Sequence, residues 1–195
     1  MKKAVRNMLS LVLTAALVFA MVGCASGNKE GGTVNIGVTD SLGGVNPFTI
    51  DQTEINKYAL DLIFLPLMEL DQDLNFQGML ADSVTTEDNI NFLVHIDDEA
   101  TWSDGKPVTA EDVAYTVLRL ASPVVNNTTL MLYAFEGVGD DGFVEKGATG
   151  IDGIQVIDDK TVQFTSKYPM ALTTFQNTYA RYLHIMPKHV IEQFS

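Results

Sequence analysis

The run ATWSDGKPVTAEDVAYTVLRL, residues 100–120, constrains the fold more than any other part of the chain. Ser103-Asp104-Gly105 is a turn in which glycine is free to take a positive backbone angle. Pro107 halts strand pairing, and Thr109 with Asp112 three residues on has the spacing of a capping box. Val113, Ala114, Val117, Leu118 and Ala121 then share one apolar face of a helix. Every carboxylate in the run therefore has a local structural job, in the turn or in the first helical turn, where the dipole favours negative charge. That accounting undercuts the competing reading, an enzyme site built from Asp104, Glu111 and Asp112.

The flanking chain alternates short strand and helix signals. Val34, Ile36 and Val38 in TVNIGVTD recur with a period of two, which predicts a half-buried strand running into the loop SLGGVNPF. Asp51 and Glu54 have N-cap spacing, Ile55, Tyr58 and Leu62 recur at helical spacing, and Pro66 is expected to end that helix. MELDQDLNFQGML reads as a strand and turn. Asp71, Asp73 and Asn75 imitate the first ligands of a calcium loop, but Phe76 stands where glycine is needed and Asp82 where glutamate closes the loop, so a polar hairpin turn is favoured. INFLVHI is a strand with Phe92, Val94 and Ile96 on one side and His95 on the other. A short helix is expected over Thr129–Phe135. Ile154, Val156, Val162 and Phe164 flank a turn at Asp158-Asp159-Lys160 and predict a hairpin. A helical segment from Pro169 to Phe175, a strand in RYLHIM and a last helix opened by Pro187 complete the chain.

The N-terminus has a basic start, MKKAVRN, an apolar run, MLSLVLTAALVFAMVG, and then Cys24, the order of a secretory signal. The run is short for a permanent membrane span and lacks a basic flank after it. MVGC resembles the lipobox of bacterial lipoproteins, which implies a signal peptide over residues 1–23, lipidation of Cys24, and a polar glycine-rich tether over 24–30. Cys24 is the single cysteine, so no disulfide forms within the chain. Beyond it stand 9 basic and 25 acidic residues, a net charge of −16 that repels phosphate backbones and argues against nucleic acid as a partner.

Signals for catalysis or a resident cofactor are weak. His184 and His189 are five apart across Pro187 and share no helix face; neither they nor His95 stand in a metal-binding pattern. There is no nucleophile elbow and no glycine-rich phosphate loop. The expectation is a non-enzyme without cofactor or metal, with a lipoprotein hydrolase as the alternative from another class.

WSDGKPVTAEDVAYT resembles the signature of the family 5 extracellular solute-binding proteins, the oligopeptide, dipeptide and nickel-binding receptors of ABC importers. LGGVNPF, LIFLPLMELD, GIQVIDDKTVQF and IMPKHVIEQF supply further pieces in family order. The chain departs from the pattern at LADSVTTED and FLVHIDDEA. The resemblance implies an α/β fold of mixed α+β character, that of a type II periplasmic binding protein, in which two lobes close on a ligand. It assigns residues 31–50 and 170–195 to the first-lobe core and 51–169 to an inserted subdomain. The second lobe is missing from the 195 residues, as in a truncated reading frame or a split gene.

The function implied is a receptor, lipid-anchored outside the cytoplasm, that captures peptide-like solutes for an ABC permease and its ATPase. A nickel chelate or an oligosaccharide is the alternative ligand, because one scaffold hosts several. By the same resemblance the loop after the first strand lines the cleft, which points to Asp40, Ser41, Leu42, Asn46 and Phe48, with Asp40 receiving a peptide's amino terminus. Tyr133, Tyr179 and Arg181 are further ligand-binding candidates, since tyrosine and arginine suit walls that hold backbone-like ligands.

Overall fold

The computed structural model describes residues 34–49 and 53–194. The signal, Cys24, the tether and the cap expected at Asp51 lie outside the described residues. No helix among the described residues is long and apolar enough to cross a membrane.

Helix α1 spans Glu54–Asp61 and is capped by Thr53, whose hydroxyl accepts the Asn56 N–H at 3.3 Å. It stops well before Pro66, and its buried face is not the expected one. Tyr58 and Leu62 stand exposed, while Asn56, Lys57 and Leu60 point inward. The reason is polar: Asn56 Oδ1 accepts the Gly43 N–H at 2.9 Å, and Lys57 is drawn toward Asp61 and Glu69. Strands β1 (Met68–Leu70) and β2 (Phe76–Gly78) form the hairpin expected there. In its turn the Asp71 carboxylate accepts the N–H groups of Asp73 and Asn75, each at 2.8 Å, and the Gln77 amide at 3.0 Å. Those bonds hold Asp71 below its usual carboxylate range, the Asn75 N–H contributing most.

The main sheet is antiparallel, with strands β3 (Ala81–Thr86), β4 (Asn91–Ile96), β5 (Ile154–Val156) and β6 (Thr161–Thr165) in the order β3-β4-β6-β5. Alternation decides its two faces. Phe92, Val94, Ile96, Val162 and Phe164 are buried, whereas Leu93, His95 and Gln163 look outward. Helix α2 (Ala110–Leu120) packs against β5 and β6, burying Val113, Thr116, Val117 and Leu120, with Ala114 and Leu118 half-buried.

After the sheet come the single turn α3 (Leu172–Phe175), a π-helical turn (Gln176–Ala180), the short helix α4 (Lys188–Ile191) and a 3₁₀ turn (Glu192–Phe194). The expected strand in RYLHIM reduces to one bridge between His184 and Pro66. Thr129–Phe135 is not helical. Asn127 Oδ1 takes the Thr129 N–H at 2.9 Å, an Asx turn that competes with helix formation, and Phe135 bridges to Ser166 beyond β6.

The expected first strand is absent among the described residues. Val34–Gly37 belong to a unit of their own, Met1–Gly37, and residues 38–49 lead the second, Val38–Ser195; both stretches lack regular pairing. A period-two pattern becomes a strand only beside a partner strand, and none is present for it among the described residues.

The core joins the sheet to the segment after it. Phe175 stacks on Phe92 with ring centroids 4.5 Å apart and meets Phe164 edge-on at 5.3 Å, while Phe135 packs on Phe164 at 5.5 Å and on Tyr179 at 4.7 Å. Each such ring pair adds about 0.5–1.5 kcal/mol beyond its burial.

Candidate functional site

The carboxylates of the 100–120 run are occupied in holding the fold. Gly105 takes φ +84° in the turn, and Thr101 bridges to Pro107. Buried Asp112 accepts the Thr109 N–H at 2.9 Å, its hydroxyl at 3.1 Å, the Trp102 indole N–H at 3.3 Å and the Lys188 N–H at 2.8 Å. Glu111 pairs with the Lys188 ammonium at 2.9 Å, and Asp104 with His189 at 2.9 Å. The hydroxyl of buried Thr116 accepts the Met186 N–H at 2.9 Å. The run is thus a clamp on residues 186–189. Trp102 is half-buried against the core.

A second charged cluster ties α1 to the chain after the π-helical turn. Lys57, 3% exposed, pairs with Asp61 at 2.7 Å and with Glu69; Asp61 meets His184 Nε2 at 2.9 Å, and Glu69 accepts Arg181 Nε at 2.8 Å. Burial opposes the charge on Lys57, yet the bonds to Asp61 and Glu69 prevail and hold its pKa above the ordinary value. Burial likewise works against the Glu69 carboxylate, but Lys57, the Leu70 N–H and Arg181 hold its pKa below the usual range. Among the described residues no three His, Cys, Asp or Glu side chains gather to hold a metal ion.

Beside the clamp a hollow of about 310 Å³ is lined by its charged groups Glu111, Arg119 and Lys188, whereas the tyrosine-lined open space is beside the π-helical turn. One hollow of about 470 Å³ is lined by Thr129, Leu130, Met131, Tyr133, Asn177, Thr178, Tyr179 and Tyr182. A neighbouring hollow of about 350 Å³ shares Tyr133, Thr178 and Tyr179 and adds Tyr168, Met170 and Thr174. Both are within the size range of small-ligand sites. The π-helical turn matters locally, because such turns widen the helix and recur at functional positions. Tyr179 is 4% exposed, with its ring on Phe135 and Phe175. Burial, with smaller contributions from Tyr133 and Tyr168, pushes its pKa up to about 12, so it stays a neutral phenol. Tyr133 and Tyr168 are 45% and 47% exposed.

Of the residues named from sequence, Tyr133 and Tyr179 come together at these hollows. Arg181 lines neither, but its Nη1 donates to Asn177 Oδ1 at 3.1 Å and so holds one wall. Asp40, Ser41, Leu42 and Asn46 are exposed on the loop over 38–49; Asp40 accepts the Ser41 N–H at 2.7 Å, and Asn46 accepts that of buried Phe48 at 3.0 Å. None of these five lines either hollow. Sequence reasoning missed Tyr168, Asn177, Thr178 and Tyr182; the cluster NTYARY carried a signal in its two tyrosines.

The family model for bacterial extracellular solute-binding proteins, family 5 Middle, matches residues 75–194. The chain belongs to this family. Family 5 members are solute-binding proteins and not enzymes, which removes the hydrolase alternative. The chain is 31% identical over 126 residues to the peptidoglycan-binding protein YepA of Agrobacterium fabrum, covering 58% of this chain and 20% of that protein. It is 30% identical over 120 residues to the periplasmic oligopeptide-binding protein OppA of Salmonella typhimurium, covering 54% and 22%. The solved structure of the Escherichia coli murein tripeptide-binding protein MppA superposes with a TM-score of 0.66 at 21% identity, covering 80% of this chain and 31% of that one. The fold is therefore the α/β fold of type II periplasmic binding proteins, of which this chain represents about a third.

Proposed function

We propose that this family 5 chain is part of a lipid-anchored receptor that captures peptide-like solutes outside the cytoplasm and hands them to an ABC permease and its ATPase. The observation that carries the reading is the family match over residues 75–194, and two of the relatives it accompanies are named for peptides. The tyrosine-lined hollows at the π-helical turn supply one wall of the site, with Tyr133 and Tyr179 in contact with ligand and Arg181 holding Asn177 in place. The loop carrying Asp40, Ser41, Leu42, Asn46 and Phe48 supplies another, with the exposed Asp40 carboxylate meeting a peptide's amino terminus. A peptide is favoured over a nickel chelate because no histidine, cysteine or carboxylate lines the hollows.

In domain terms residues 1–23 are a lipoprotein signal and 24–30 a tether from lipidated Cys24. Residues 31–50 and 170–195 belong to a first-lobe core, and 51–169 to an inserted subdomain. Binding is tested by NMR titration of the chain with a mixture of tri- to pentapeptides. Chemical-shift changes at Tyr133, Thr178 and Tyr179 at about millimolar peptide are expected; no change at these positions at tens of millimolar contradicts the reading. The anchor is tested in a bacterium, where the wild type partitions into membranes and Cys24→Ser does not. Equal partition of the two removes the lipoprotein assignment.

A further inference from the structure

Resting on the peptide-receptor reading above, we infer that the paired hollows form a subsite for an uncharged, ring-bearing or apolar side chain of the ligand and discriminate against charged ones. The lining carries the argument. Thr129, Leu130, Met131, Tyr133, Asn177, Thr178, Tyr179 and Tyr182 on one side, and Tyr168, Pro169, Met170, Ala171 and Thr174 on the other, include no ionisable group other than tyrosine. This is notable in a chain with 12 basic and 25 acidic residues. The charged side chains next to this lining in sequence are already paired: Lys167 with Asp140 at 3.5 Å, and Arg181, which backs the wall through Asn177 and Tyr182, with Glu69 at 2.8 Å. An entering carboxylate or ammonium would give up water without meeting an unpaired counter-charge.

The four tyrosines of the lining also attract a cation, so a lysine side chain is the serious competitor. Aromatic cages that bind cations work best for weakly hydrated quaternary ammonium groups, whereas the lysine ammonium is compact and strongly hydrated. The half-exposed rings of Tyr133 and Tyr168 and the buried ring of Tyr179 instead offer an aromatic guest stacked and edge-on contacts. The hydroxyls of Thr129 and Thr178 and the Asn177 side chain offer hydrogen bonds to a peptide backbone passing over the rim.

The test compares Ala-Phe-Ala, Ala-Lys-Ala and Ala-Glu-Ala in NMR titrations of the full chain in detergent solution. Ala-Phe-Ala is expected to bind about tenfold more tightly than the other two. The preference is expected to vanish in Tyr133→Ala, whose side chain is too exposed to carry the fold, and to survive in Tyr133→Phe. Equal binding of the three peptides, a preference for Ala-Lys-Ala, or a preference that Tyr133→Ala leaves intact overturns the subsite while leaving the receptor reading in place. Failure of all three peptides to bind overturns both.

Discussion

The 100–112 run and the loop over 38–49 are both rich in turn residues and both point to the same family, yet the structure treats them in opposite ways. In the first, Asp104, Glu111 and Asp112 each find a partner on residues 188–189, and Trp102 lies on the core. In the second, Val38, Leu42 and Val45 are about half exposed, and the loop is fastened by Phe48 and by the Gly43 bond to Asn56. The difference teaches that a motif which closes its own hydrogen bonds folds as written. One whose apolar side chains depend on packing supplied from elsewhere remains open.

The largest expected effect is at Asp112. Asp112→Ala leaves the Thr109 and Lys188 N–H groups and the Trp102 indole without their acceptor, and is expected to cost about 3 kcal/mol in urea denaturation. A loss below about 1 kcal/mol would mean that the clamp adds little. Trp102→Ala removes a half-buried ring and one of those bonds, for an expected loss of about 2 kcal/mol. Trp102→Phe should recover part of it.

Acid should act on the second charged cluster through His184 and Glu69. Burial holds the His184 imidazole below its ordinary value despite the bond to Asp61, so the unfolded chain binds a proton at higher pH than the folded one. Stability present above about pH 6.5 is therefore lost as the pH falls through the folded pKa, with a slope of at most about 1.4 kcal/mol per pH unit. Glu69, held low by its partners, adds a further loss that begins near pH 4.3 and grows as the pH falls through its folded value. Urea midpoints between pH 7 and 5 should flatten in His184→Gln; an unchanged slope would assign the acid sensitivity elsewhere.

The smallest effect on stability is expected in the open loop. Leu42→Ser and Val45→Ser should stay within about 0.5 kcal/mol of wild type in urea denaturation. A loss of stability above 1 kcal/mol would show that the loop is packed after all.

Sequence legibility followed the same division. The capping box, the 158–160 hairpin, the β4 alternation and the helix after Pro187 were readable because each is specified by neighbours within a dozen residues. Strand β3, ADSVTT, was not, since it carries just Ala81 and Val84 on its buried face and is held by pairing with β4. The face of α1 was misread because a buried lysine is chosen by carboxylates at Asp61 and Glu69, a relation that hydrophobic periodicity does not register. At the candidate site, Tyr133 and Tyr179 were named on residue type. Tyr168 joins them through tertiary packing, since Phe135 bridges to Ser166 and packs on Tyr179, and the three tyrosines line one hollow.

The central claim, that the tryptophan run holds the fold while the tyrosine hollows meet the ligand, is tested most directly by one peptide titration run on three proteins. Wild type, Trp102→Phe and Tyr133→Ala are compared by NMR at equal concentrations of folded protein, with urea midpoints measured alongside. Trp102→Phe should lower the midpoint and leave peptide affinity unchanged, and Tyr133→Ala should do the reverse. Loss of affinity in Trp102→Phe with Tyr133→Ala binding as wild type would place the ligand at the tryptophan run and contradict the account.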